Sequence, residues 1–263
     1  MKQRDMKKLL ILLLIFGSIS AKSQDILPQQ SEAQKSRFSI GAYFSPDAAD
    51  IYLQSTDNKQ STEDFIENRN SRETMKFGYT TGLSVVYLLN EKFSLETGLE
   101  YSNKGYQTKK VGLNFGVGQG LSNPPRGFVF DEGSETATDV RFVYHYQYAG
   151  IPVKLNYTVG NGKWRFISSI GLTAEYLMRA SSTTVLYYDE ERPNRENDID
   201  DQDYNTFNLS PSISAGVDYQ LNPRMSLRAM PTFRAGLLKI MDDTPVTGYL
   251  YSAGVQLGWY MTL

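Results

Sequence analysis

The chain has no cysteine and a single histidine, His145, among 263 residues. The first absence excludes a disulfide scaffold, an iron–sulfur site and thiolate zinc. The second leaves little room for His-rich metal sites or most His-dependent catalysis. An excess of one charge is also missing: 27 basic and 29 acidic side chains give a formal net charge of −2. That balance does not suit a nucleic-acid binder that works by neutralising phosphates. After one short N-terminal stretch no apolar run reaches the ~18 residues of a spanning helix, so a polytopic helical membrane protein is excluded. What is abundant is aromatic residues and glycine, with 18 Tyr and 21 Gly. That pairing points toward β-structure.

Lys2, Arg4, Lys7 and Lys8 precede the apolar run Leu9–Phe16, and small residues follow it. A basic region, a short apolar region and the small-x-small pattern of Ala21-Lys22-Ser23 read as a signal peptide over residues 1–23. The apolar run is too short to cross a bilayer, and no cysteine follows it to carry a lipid. Residues 24–37 are polar and aperiodic and read as a flexible periplasmic leader. Residues 38–263 read as one domain.

Within that domain the hydrophobic period is two. From Tyr249 to Leu263 the odd positions are large and apolar or Ala, while the even ones include Ser252, Gly254, Gln256, Gly258 and Thr262. Successive strand side chains point to opposite faces, so one face is greasy and the other small and polar. The same split recurs at 38–45, 78–89, 93–104, 142–159, 164–178, 206–220 and 225–238, giving eight strands. Tight turns at Asn90–Lys92, Asn161–Lys163 and Asn222–Arg224 alternate with polar stretches at 46–77, 105–141, 179–205 and 239–245. Short and long connections in alternation describe an eight-stranded antiparallel up-and-down barrel with its long loops at one end, the asymmetry of transmembrane β-barrels.

A soluble barrel alternates too, but with its charged face outward. Here the less apolar face is mostly Gly, Ser, Thr and Asn, with Lys104 and Lys154 its only lysines. Tyr249 and Tyr251 at one end of the last strand and Trp259 at the other suit two membrane interfaces. The polar face therefore becomes the lumen. It carries Glu96, Glu100, Glu175 and Asp218 beside Lys154, Arg165, Arg228 and Arg234. In a tube just wide enough for its own side chains, these are expected to pair and form a structural plug rather than an ion-selective pore.

The terminal segment presents Gln256, Gly258, Met261 and Leu263 at the spacing of the outer-membrane insertion signal, with Leu in place of the more frequent final aromatic. The strand Tyr148-Ala-Gly-Ile-Pro-Val-Lys-Leu-Asn-Tyr157, with Trp164-Arg-Phe-Ile-Ser-Ser-Ile-Gly171 after the next turn, resembles the PorT-like outer-membrane β-barrel family. The resemblance covers roughly residues 38–263, mostly as pattern; Pro152 is expected at a bulge or a weakly paired position. It implies an outer-membrane location. The family takes its name from a member needed for a dedicated protein-secretion system.

Signals for chemistry are few. His145 sits in an aromatic strand end without a Gly-x-Ser-x-Gly context, and reads as a rim histidine rather than the base of a lipid-modifying enzyme. In the acidic stretch 189–203, Asp198, Asp200, Asp201 and Asp203 could offer oxygens to Ca²⁺. The spacing lacks the Gly and Glu of an EF-hand loop, so a solvated surface loop is the expectation. Gly112–Gly120 follows no βαβ pattern and is not a nucleotide loop. The expectation is a barrel without enzymatic activity or cofactor, in a structural or interaction role. Its expected partners are outer-membrane lipid and lipopolysaccharide, the barrel-assembly machinery and other envelope proteins, not nucleic acid.

Overall fold

The computed structural model describes residues 36–57, 59–113, 137–188, 192–199, 203–241 and 245–263. The signal peptide, the leader as far as residue 35, residues 114–120 of the glycine-rich stretch, and residues 189–191 and 200–202 of the acidic stretch lie outside the described residues. The elements in chain order are β1 (Phe38–Ser55), α1 (Gln60–Arg72), β2 (Glu73–Leu88), β3 (Phe93–Thr108), β4 (Val111–Gly112), β5 (Asp139–Val159), β6 (Trp164–Tyr187), β7 (Asn194–Ile199), β8 (Phe207–Asn222), β9 (Met225–Ala235) and β10 (Val246–Thr262).

Every barrel strand pairs antiparallel with its neighbour, and β1 also pairs with β10, so β1-β2-β3-β5-β6-β8-β9-β10 close into a ring. The short β4 and β7 add to β5 and β6. Following the register from Phe166 through Val217, Ala229, Leu257, Phe44, Thr81, Tyr101 and Ala149 returns to β6 at Tyr176, a stagger of ten residues (176 − 166). With ~3.3 Å per residue and ~4.8 Å between strands, that stagger corresponds to a tilt of about 40°.

The two faces sort as the alternation demands. Leu83, Leu99, Ile151, Ile170, Ile213 and Leu257 are exposed on the outside, while Ser45, Thr80, Glu96, Asn156, Asp218 and Ser252 are buried within. Around the outside, two rings of aromatics bound the apolar band. At the end with the short turns stand the pairs Phe38–Tyr87, Phe93–Tyr157 and Trp164–Tyr219; toward the other end stand Phe44–Tyr79, Tyr79–Tyr101 and Phe233–Tyr251. On β3 the two rings stand eight residues apart (101 − 93), which on strands tilted by about 40° is ~20 Å, close to the height of the apolar band of a membrane barrel. The turns form because their asparagines satisfy the backbone locally. Asn90 Oδ1 accepts from the Lys92 and Phe93 amides at 2.9 and 2.8 Å, and Asn222 Oδ1 accepts from the Arg224 and Met225 amides at 2.9 Å each.

Among the described residues, much of the three longer stretches expected as loops is strand, which is a correction. β1 runs on to Ser55, β2 begins at Glu73, β5 begins at Asp139 and β6 reaches Tyr187. Above the apolar band there is no lipid to face, so the outer positions turn polar and the alternation fades although the pairing continues. On β6 an extra residue at Met178 shifts the register between Leu177 and Arg179, and the outward parity changes from even to odd. The first expected loop also contains α1. Arg69 on α1 donates through Nε to Glu73 Oε1 at 2.6 Å and through Nη2 to Tyr106 Oη at 3.2 Å, which ties the helix to β2 and β3.

Pro152 is buried on β5, opposite Thr173. The β3–β5 pairing is interrupted between Thr97–Val153 and Glu100–Gly150, so the proline occupies a gap where no amide donor is required of it.

Candidate functional site

The lumen holds two regions of different chemistry. Level with the apolar band it is ionic. Asp218 on β8 pairs with Arg165 on β6, and Arg228 on β9 bridges Asp218 Oδ1 and Glu96 Oε2 at 3.3 Å each. Glu96 also accepts from Tyr260 Oη at 3.0 Å and from Asn156 Nδ2 at 2.9 Å. Farther from the turns, Lys154 Nζ stands 4.0 Å from Glu100 Oε2, which accepts from Tyr43 Oη at 2.6 Å. Lys154 also donates to Gln256 Oε1 at 3.4 Å.

Four of the eight charged residues singled out in the sequence, Glu96, Arg165, Asp218 and Arg228, thus share one cluster, and Glu100 and Lys154 share another. The remaining two take partners outside that set. Arg234 pairs with Asp47 at 3.2 Å, and Glu175 pairs with Lys104 while accepting from Ser210 Oγ at 2.6 Å. Asp47 escaped the sequence reading because it lies in a stretch read as loop; its place on the polar parity of an extended β1 was the available signal. Five carboxylates (Asp47, Glu96, Glu100, Glu175, Asp218) face five bases (Lys104, Lys154, Arg165, Arg228, Arg234).

Glycine makes room for two rings against the inner wall. A Cβ at Gly82 would lie 2.5 Å from Tyr43 Cζ, and one at Gly258 would lie 2.7 Å from Tyr260 Cε2. Flat on the wall, the rings carry the cations above them: Lys154 Nζ is 4.4 Å from the Tyr43 centroid, and the Arg228 guanidinium carbon is 3.7 Å from that of Tyr260.

Beyond the apolar band the lumen becomes aromatic and aliphatic. Tyr106 (β3), Tyr146 and Tyr148 (β5), Leu177 and Ala180 (β6), Leu250 (β10) and Ile240 from the β9–β10 connection form one buried cluster. Side chains from strands on opposite sides of a ring meet only in its interior. Tyr106 stacks on Tyr144 at 4.6 Å, and Tyr204 meets Tyr146 edge-on at 5.4 Å. The same staves are therefore polar inside and apolar outside in the band, and apolar inside above it.

His145 faces outward, above the band. Its Nε2 is 3.3 Å from Thr183 Oγ1, and that hydroxyl donates to Asn197 Oδ1 at 2.7 Å. The asparagine therefore orients the threonine rather than the imidazole. Of the acidic stretch, Asp198 lies on β7 and Asp203 just before the Tyr204 bridge, whereas Asp200 and Asp201 are outside the described residues. At the end of β10, Gln256 and Gly258 face the lumen, Met261 pairs with Ile40, and Leu263 is exposed. An open groove of about 760 Å³ lies on the outer wall, where Trp164, Tyr219, Leu227 and Trp259 surround Ala42 and Ala229. It belongs to the apolar band, and the lumen residues Tyr43 and Arg228 contribute to its lining.

The family that the sequence matches agrees with this architecture. A family model described as outer membrane protein beta-barrel domain matches residues 29–234. Among solved structures, the chain is similar to Neisserial surface protein A (11% identity over 87% of this chain and 98% of that one, TM-score 0.42). It is similar to OprG from Pseudomonas aeruginosa (12%, 87% and 98%, TM-score 0.39) and to a major outer membrane protein from Thermus thermophilus (12%, 84% and 99%, TM-score 0.38). No curated protein matches the chain. With the family model covering most of its length, and an apolar band of membrane height around a closed ring, the chain belongs to the outer membrane β-barrel domain family and resides in the outer membrane.

Proposed function

We propose that the protein is a non-enzymatic surface barrel with a sealed lumen, acting as a structural or interaction component of the envelope. The observation that carries this reading is that, among the described residues, the lumen side chains are buried at both levels. Ion pairs occupy the membrane level and the Tyr106–Tyr146–Tyr148 cluster occupies the level above. What the barrel offers to other molecules is then its extended end, with α1, β4 and β7. Longer connections face the cell exterior in such barrels. Within this reading the protein is an accessory of an export or surface machine, related to the PorT-like group; the strand from Tyr148 to Tyr157, with Pro152 in its pairing gap, supports that affinity. Gln256, Gly258, Met261 and Leu263 serve the assembly machinery as the insertion signal.

The test is isolation of the tagged protein from outer membranes in mild detergent, combined with conductance in planar bilayers. Stoichiometric envelope proteins and electrical silence are expected. Stable ion-conducting steps from the purified protein would overturn the reading. The second reading, a lipid-modifying enzyme, has one observation in its favour, the contact of His145 with a hydroxyl near the upper aromatic ring.

A further inference from the structure

On β5 the odd positions face outward, and beyond Met178 those of β6 do as well. Cross-strand partners share a face. The registers therefore set Arg141, Val185 and Arg195 in one outward row across β5, β6 and β7, with Asp139 and Tyr187 above it and Thr183 and Asn197 below. Lys110 joins them from the edge of β4: its Nζ is 3.7 Å from the Tyr187 ring centroid, and the Arg141 guanidinium carbon is 5.8 Å from the same centroid. Arg179, exposed, stands at the foot of this face, close above the upper aromatic ring.

Among the described residues, the bases Lys110, Arg141, Arg179 and Arg195 against the one acid Asp139 leave +3 (4 − 1) on this face. Among the described residues none of the four bases forms an ion pair, and Arg141 Nε is buried without a hydrogen-bond partner. Alternation along β7 sends Glu196 and Asp198 to the opposite face, so sign is sorted by side. Cations around an aromatic ring offer both charge and a flat apolar plane, a combination suited to a phosphorylated sugar. The height is suited as well, because the face begins where the acyl chains end.

We propose that this outward face, with Lys110, Arg141 and Arg195 near Tyr187 and Arg179 at its foot, binds the phosphorylated saccharide of the surrounding lipopolysaccharide. The proposal rests on the surface-barrel reading above and names one partner of it. The test uses the full chain in nanodiscs, titrated with purified lipopolysaccharide, with the same lipopolysaccharide after phosphatase treatment, and with a soluble sulfated glycan.

Binding of the untreated form is expected, weakened on the order of 100-fold in the K110A/R141A/R195A variant and by dephosphorylation. The E196Q/D198N variant, altered on the opposite face, should bind as the parent does. Heat-modifiable mobility checks that each variant is folded. Equal binding by the triple variant, or indifference to phosphatase, would overturn the proposal. Tighter binding of the soluble glycan than of lipopolysaccharide would overturn it too, by assigning the face to a free polyanion. Co-isolation of envelope partners is scored separately: partners retained by a triple variant that has also kept its lipopolysaccharide affinity would sink this proposal and leave the surface-barrel reading standing.

Discussion

Arg234 on β9 extends its Nη1 to within 3.2 Å of Asp47 Oδ1 on β1, joining strands 187 positions apart in the chain. Asp47 also accepts from Thr80 Oγ1 at 2.5 Å and from Ser45 Oγ at 2.6 Å, so its charge is satisfied from three directions. A buried pair of this kind contributes little over an apolar substitute, but removing one partner strands the other. Asp47→Asn or Arg234→Ala should each cost ~3–5 kcal/mol. The double variant should cost less than their sum. Urea unfolding of the four proteins in micelles, followed by tryptophan fluorescence, closes the cycle; strict additivity would deny the coupling.

The inner wall tolerates no side chain beneath its rings. Gly82→Val places atoms where Tyr43 lies, and overpacking of this sort costs ~1–3 kcal/mol. At Gly162, in a turn, a new Cβ meets nothing within 4 Å. Gly162→Ala should therefore fold as the parent does while Gly82→Val yields less heat-modifiable barrel.

The two aromatic rings mark where the solvent changes. Leu99, 67% exposed and near the middle of the band, should resist charge: Leu99→Arg is expected to cost ~2–4 kcal/mol in lipid. Ser181 lies above the band, and Ser181→Arg should change stability by no more than ~0.5 kcal/mol. Equal costs at the two sites would misplace the band.

His145 supplies a clean discriminator between the two functional readings. His145→Ala and Thr183→Val should leave lipid A and phospholipid profiles of whole cells unchanged by mass spectrometry. A new acylation or phosphorylation pattern in either variant would favour the enzyme.

Ahead of α1, Asp57 has its pKa lowered below the ordinary carboxylate value, first by a hydrogen bond from the Thr62 side chain and then by the Lys59 amide. Because the folded value is depressed, the support Asp57 gives the helix start is present above the unfolded value and is lost as pH falls through the folded one. Protection factors of the first-turn amides of α1, with the intrinsic pH dependence of exchange divided out, should fall below about pH 4. In Asp57→Asn the same amides should show no such transition.

The ring and its lipid-facing side were legible because a bilayer imposes a strict period of two. Leu83, Val85 and Tyr87 declare their side without any partner being known. Above the band that pressure lifts. The outward positions Gln147, Ser181 and Thr183 are as polar as many lumen residues, and the extra residue at Met178 inverts the parity, so the upper part of β6 reads as loop. α1 was missed because its sequence, Gln60–Arg72, is polar almost throughout and is held by Arg69 rather than by an apolar face. Pairing inside the lumen depends on register across the ring, which a linear pattern does not contain. That is why Arg234 is found without Asp47, and why Lys104, placed on the same face as Glu175, is not matched to it.

The seam between β1 and β10 sets the order in which this object can be made. Its hydrogen bonds run from Ser39–Thr262 to Ser55–Val246, joining the first strand of the ring to the last. Until β10 is available, β1 has one bare edge, and neither Arg234 nor Tyr260 can reach its acid across the tube. Closure at such sequence separation is intrinsically slow. The nascent barrel is therefore an open sheet with a charged inner side, and the cell must shelter that sheet until a single late event turns it into a wall.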